Sequence, residues 1–278
     1  MNEHEPLVVG QSIPGAGGNG ADSVSPAGEK EASHPSTYRF EILRYDETRS
    51  DPPRFQVYDV AIAADGLLLE ALLKIQEELD PSLAFRYSCR GLVCGSCGVV
   101  VNGQPTLACK TRLADFPSRR LIIEPLPGFR ILKDLVVDMD PFWEKYARVQ
   151  PWLHAETKDP GGTRMSDQER ERVDSFANCI LCALCYAACP AVAMREEFTG
   201  PAALAKLHRF LADSREKRSL ESLQGENGDN GAWGCRTATR CIEVCPKNVR
   251  PFDGIAGVRR ELAMRTLRSL WSRRHDED

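Results

Sequence analysis

The first 88 residues of this 278-residue chain contain no cysteine, although the remainder holds eleven. Other shortages narrow the field further. No secretory hydrophobic segment opens the chain and the cysteine count is odd, so metal ligation in a reducing compartment fits better than a secreted disulfide framework. No arginine precedes Arg39, whereas mitochondrial transit peptides are Arg-rich and poor in acids. Residues 1–36 carry Glu3, Glu5, Asp22, Glu29 and Glu31 against Lys30 alone, and the whole chain has a formal net charge of −4. With no excess of positive charge, no electrostatic footprint for nucleic acid exists. The five histidines (His4, His34, His154, His208 and His275) are scattered. They suggest no acid-base or nucleophilic centre, and His208 reads as a helix-surface residue. This reads as a bacterial-type cytoplasmic protein with a tail at residues 1–36.

The tail is rich in Gly, Pro, Ser and Glu and lacks periodicity, the composition of an unfolded segment. Within it, Gly15-Ala16-Gly17-Gly18-Asn19-Gly20 fits the dinucleotide fingerprint. Pro14 and Pro26 break the strand and helix that the fingerprint needs, so it reads as linker. From Thr37 onward the pattern alternates: Tyr38 to Leu43 and Phe55 to Val60 read as a strand hairpin. Leu67 to Ile75 has helical spacing, with Asp65 placed to cap it. Val99 to Val101 and Gln104 to Leu107 flank Asn102-Gly103, a type I′ hairpin signal, and Leu121 to Glu124 offers one more strand. Beyond about Gly128 no convincing strand appears. Pro141 to Val149, Ser166 to Ala177, Pro201 to Ser214 and Phe252 to Trp271 read as helices. Phe176 to Met194 has no charged residue and is about long enough to span a bilayer. Its four cysteines are better explained by ligand geometry.

The cysteines fall into three groups. Cys89, Cys94, Cys97 and Cys109 follow C-x4-C-x2-C and a distant fourth, the spacing of plant-type 2Fe-2S ferredoxins. Gly91, Gly95 and Gly98 would allow the close backbone path that such a loop needs. Cys179, Cys182, Cys185 and Cys189-Pro190 form the bacterial ferredoxin run, in which three cysteines hold one cluster and the fourth reaches another. The reciprocal run is Cys235, Cys241 and Cys245-Pro246, with Ala238 where a cysteine belongs. Cys179, Cys182, Cys185 and Cys245 therefore make a 4Fe-4S set, while Cys189, Cys235 and Cys241 leave three thiolates, suited to 3Fe-4S. Zinc sites and a 4Fe-4S cluster with one non-cysteine ligand are the competing readings. Pro190 and Pro246 would end helical runs and shield a cluster from water.

A 2Fe-2S half followed by a two-cluster helical half resembles the iron-sulfur subunit of succinate dehydrogenase and fumarate reductase. Tyr87-Ser88-Cys89-Arg90, Leu107 to Thr111, Asp134 to Met139, and Val244 to Lys247 carry the likeness. Tyr186 to Pro190 with Phe198 to Ala203 looks more like the fumarate reductase branch. The resemblance implies an α+β protein: an N-terminal β-grasp 2Fe-2S ferredoxin-like domain (residues 37–132) followed by an all-α two-cluster ferredoxin domain (residues 133–274). It further implies a flavoprotein partner with FAD and the dicarboxylate site, membrane anchor subunits with haem b, and a quinone. Its implied location is peripheral, on the cytoplasmic side of the bacterial inner membrane. Pro190, Arg236 and Arg259 fall near the family's quinone site. Met194 and Arg236 replace a tryptophan and a histidine of ubiquinone-reducing members, which points to a menaquinone-like partner or an altered pocket. Glycolate-oxidising and heterodisulfide-reducing complexes are the rival assemblies. The complete 2Fe-2S domain and Ala238 argue against them. The arginines of the last helix are accounted for by a solvated face.

Overall fold

Alternation of apolar residues along β1 (Ser36–Arg44) and β2 (Arg54–Ile62) sends Tyr38, Phe40, Ile42, Tyr58, Val60 and Ile62 to one face, where all are buried. Successive side chains of a strand point to opposite faces, so this pattern fixes the register: Phe40 pairs with Tyr58. The computed structural model describes residues 35–63, 65–155 and 164–275, with side chains as far as Trp271. The Gly15 to Gly20 fingerprint and the acidic tail lie outside the described residues.

β3 (Gly98–Val101), β4 (Gln104–Leu107) and β5 (Arg120–Glu124) complete a five-stranded sheet in the order β2-β1-β5-β3-β4, with β1 and β5 parallel. This is a β-grasp. Asn102 and Gly103 both have positive φ (48° and 80°), as the hairpin signal requires. The Asn102 amide donates to the Ile122 carbonyl at 2.9 Å, tying the hairpin to β5.

The helix α1 (Leu68–Lys74) lies across the sheet and buries Leu68, Leu69, Ala71 and Leu72. Full burial of one such side chain contributes about 1.5–3 kcal/mol. Asp65 does not cap this helix. The Glu70 carboxylate accepts from the Leu67 amide at 3.0 Å and does so instead, because the chain enters the helix two residues later than Asp65 requires. A π-helical turn, Ile75–Leu79, carries the chain to Asp80.

After residue 128 the fold is not wholly helical. β6 (Ile131–Lys133) and β7 (Val136–Val137) form a small hairpin. Between them Asp134, 3% exposed, accepts from the amides of Tyr45 and Ala84 and pairs at 3.0 Å with Arg44, itself 10% exposed. Arg44 also pairs with Asp80. This buried network clamps the end of β1, the approach to the first cysteine loop and the hairpin together.

Then come α2 (Asp140–Arg148), α3 (Asp167–Ala177), α4 (Leu184–Ala187), α5 (Pro190–Met194), α6 (Pro201–Leu211), α7 (Arg240–Glu243) and α8 (Pro251–His275). The uncharged run from Phe176 to Met194 breaks into the short α4 and α5. Among the described residues no helix is long and apolar enough to cross a membrane. α6 and α8 pack closely because Gly254 and Gly257 leave no β-carbon between them: one added at Gly254 would stand 2.9 Å from the Ala205 Cα. Gly257 seats the His208 ring, which meets Phe176 edge-on at 5.0 Å. His208 is therefore a packing residue between helices, not a surface one, and burial holds its pKa below the ordinary value.

Candidate metal centres

Cys89, Cys94 and Cys97 sit on a loop whose backbone winds through positive φ at Arg90, Leu92 and Gly95 (54°, 60° and 71°). Of the three glycines expected to provide this path, Gly95 alone adopts a left-handed conformation; Arg90 and Leu92 supply the other turns. Alternating handedness turns successive amides inward, the geometry of an anion-binding nest. The amides of Gly91, Val93 and Cys94 donate to the Cys89 sulfur at 3.2–3.4 Å, and Ser96 Oγ lies 3.1 Å from the Cys94 sulfur. The Ser96 hydroxyl, with the Cys89 and Ser96 amides, pulls the Cys94 thiol down to about 6, whereas burial pushes Cys97 up to about 12. Cys109 lies just past β4, and the neighbouring Ala108 amide donates to the Cys97 carbonyl at 2.9 Å.

The two later runs share one backbone path. Leu181 and Ala183, two and four positions after Cys179, have φ of 55° and 61°; Thr237 and Thr239, two and four positions after Cys235, both have φ of 56°. Each path then enters a short helix, α4 or α7. Ala238 therefore stands at the place of Cys182, with a methyl group in place of a thiol.

One cavity is lined by Cys179, Cys182, Cys185 and Cys245, and another by Cys189, Cys235, Cys241 and Ala238. Burial raises the pKa of Cys179, Cys182, Cys185, Cys189 and Cys241, with Cys182 and Cys241 pushed up to about 11. Neighbouring thiolate charges add to this in Cys182, Cys185 and Cys241. Buried thiols sharing so small a space ionise together only when a cation compensates them. All eleven cysteines are free. This donor set fits clusters of iron and sulfide, which draw soft thiolate ligands.

The three sets touch in series. A β-carbon at Gly95 would lie 2.9 Å from the Cys182 Cα and the Ile180 carbonyl, so the first loop rests backbone to backbone on the second. Sequence reasoning missed this contact, since only tertiary packing creates it. Cys185 in turn shares one buried apolar cluster with Cys241, and α4 packs on α7, linking second to third.

Pro190 separates α4 from α5, Cys189 before it being extended. It occupies the first turn of α5, where its missing amide costs nothing. Pro190 and Arg236 both line the third cavity. Arg259 does not; its guanidinium donates to the carbonyls of Ala232 and Cys235, both at 2.9 Å, and stacks 5.3 Å from the Trp233 ring. Its observed task is to pin the Cys235 turn to α8.

The residues of the fumarate reductase-like signature pack together. Tyr186 lies against Gly200, whose φ is 89° and whose β-carbon would meet the ring at 2.8 Å; its hydroxyl accepts from Lys145 at 2.6 Å. Thr199 donates to the buried Glu226 carboxylate at 2.7 Å.

Comparison with known proteins agrees with this architecture. Residues 39–144 match the model of a 2Fe-2S iron-sulfur cluster binding domain, and residues 175–249 that of a 4Fe-4S dicluster domain. The fumarate reductase iron-sulfur subunit of Haemophilus influenzae is 39% identical over 228 residues, covering 77% of this chain and 89% of that one. The succinate dehydrogenase iron-sulfur subunit of Coxiella burnetii is 37% identical over 230 residues, covering 82% and 97%. A chain of the Mycobacterium smegmatis Sdh1 complex in the apo form superposes with a TM-score of 0.75 at 26% identity, covering 84% and 98%. The chain belongs to the family of iron-sulfur subunits of fumarate reductase and succinate dehydrogenase.

Proposed function

We propose that this subunit carries single electrons between FAD in a flavoprotein partner and a membrane quinone, through three metal centres held by its eleven cysteines. Cys89, Cys94, Cys97 and Cys109 would hold a 2Fe-2S cluster, Cys179, Cys182, Cys185 and Cys245 a 4Fe-4S cluster, and Cys189, Cys235 and Cys241 a 3Fe-4S cluster. Such clusters, when bound, supply one-electron exchange. The rest is done by this chain: it excludes water, supplies hydrogen bonds to sulfur and fixes spacing.

The observation that carries the reading is the serial packing of the three sets, Gly95 on Cys182 and Cys185 in one apolar cluster with Cys241. It supports a linear order with the first set at one end. In this reading residues 37–132 carry the first centre and meet the flavoprotein, which holds the dicarboxylate site. Residues 133–274 carry the other two and sit on anchor subunits, with haem b there, at the cytoplasmic face of a bacterial inner membrane. Pro190 and Arg236 at the third cavity, with the exposed Met194 (69%) nearby in sequence, offer the surface toward quinone. Arg259 supports that surface from behind by holding the Cys235 turn.

Anaerobic isolation of the assembled complex, with iron and sulfide analysis, tests this directly. The chain is expected to contain about nine iron atoms and to give three distinct EPR centres. A colourless preparation holding only zinc would end the proposal. In Ala238→Cys, whose new thiol falls where Cys182 stands in the equivalent run, iron is expected to rise to about ten and the oxidised-state signal of the third centre to vanish.

A further inference from the structure

The second cysteine set has a cation beside it that neither the spacing of motifs nor the family resemblance singles out. Lys206, half-buried on α6, donates from Nζ to the Phe176 carbonyl at 3.3 Å. The same carbonyl accepts from the Cys179 amide at 3.4 Å. One oxygen thus holds both the ammonium and the backbone amide of the first cysteine of the second set, so the charge is tied beside that cysteine.

A fixed positive charge at that range lowers the free energy of whatever negative charge is added next to it, and half-burial limits the screening by water. We propose that Lys206 sets the reduction potential of the second centre, its ammonium stabilising the single negative charge added when that centre takes up one electron. The electron is exchanged with the first centre on one side and with the third on the other. No bond forms or breaks and no proton moves. The inference rests on the iron-sulfur reading of the second set. Lys206 is a positioning charge, not a catalytic residue: it touches a ligand's backbone neighbour, not a reacting atom.

The test is an EPR-monitored redox titration of the intact complex carrying Lys206→Gln, Lys206→Met or Lys206→Arg. In the Gln and Met variants the ratio of reduced to oxidised second centre at a fixed ambient potential is expected to fall about tenfold, equivalent to about 59 mV for a one-electron couple. Lys206→Arg should restore most of it, and the first and third centres should titrate as in the parent. Gln retains a donor for the Phe176 carbonyl, which separates charge from tethering. A Gln variant with full iron and the parent potential overturns the proposal. So does a shift of all three centres together, or loss of iron from the second centre in both neutral variants, since each makes Lys206 a purely structural pin. If the parent itself shows no iron-based second centre, it is the function proposed above that fails.

Discussion

Gly95 has no room for a β-carbon. Its φ of 71° and the 2.9 Å approach of Cys182 both demand glycine. Gly95→Ala is expected to cost about 2 kcal/mol and to lower iron occupancy of the first and second centres together, measured by urea unfolding and metal analysis. The sequence showed that this loop needs glycine but not which one, because handedness here is set by the contact with Cys182. The network of Arg44, Asp80 and Asp134 was equally hidden, its members lying far apart in sequence. Burial pushes the Asp80 carboxyl up, but donors from Ser82, Tyr58 and Arg44 outweigh this and hold its pKa below the ordinary value. Its folded pKa being depressed, the stabilisation is complete above the unfolded value of about 3.9 and drains away as the pH falls through the folded one. The urea midpoint of the full chain is expected to drop between pH 5 and pH 3, and Asp80→Asn should flatten that slope while lowering the midpoint at pH 7.

At the level of elements, long periodic stretches were legible and short ones were not. Ser166 caps α3 as its S-x-x-E pattern indicates: its hydroxyl accepts from the Glu169 amide at 3.3 Å, and Glu169 accepts in return from the Ser166 amide at 2.9 Å. Ser166→Ala is expected to cost about 1 kcal/mol and to speed amide exchange in the first turn of α3 alone. β6 and β7 have three and two residues, too few to show a period, and are fixed by Asp134. α4, α5 and α7, at four or five residues each, are likewise set by the cysteine turns that precede them. Asp65 shows the limit of capping rules, since any acceptor near the first turn can serve and Glu70 lies closer.

Across the whole molecule, the described residues from 35 onward form one compact unit, and Leu184 from the helical part packs into the same apolar core as the sheet. Stripping iron should therefore be felt beyond the cysteine loops. Anaerobic chelation is expected to lower the thermal midpoint by more than about 10 °C, measured by circular dichroism, because buried thiols lose the cation that allowed them to ionise. The arrangement of the two later runs adds something of a different kind. Each run surrenders its last cysteine to the other's cavity, Cys245 to the company of Cys179 and Cys189 to that of Cys235. On the proposed ligation, inorganic rivets close a large chain loop twice over, and neither can be set in its final form before both stretches have met. A newly made subunit lacking either cofactor would thus hold the root of α8 by its packing on α6 and the Arg259 hydrogen bonds alone, a half-finished state that differs in firmness as well as in colour from the mature one.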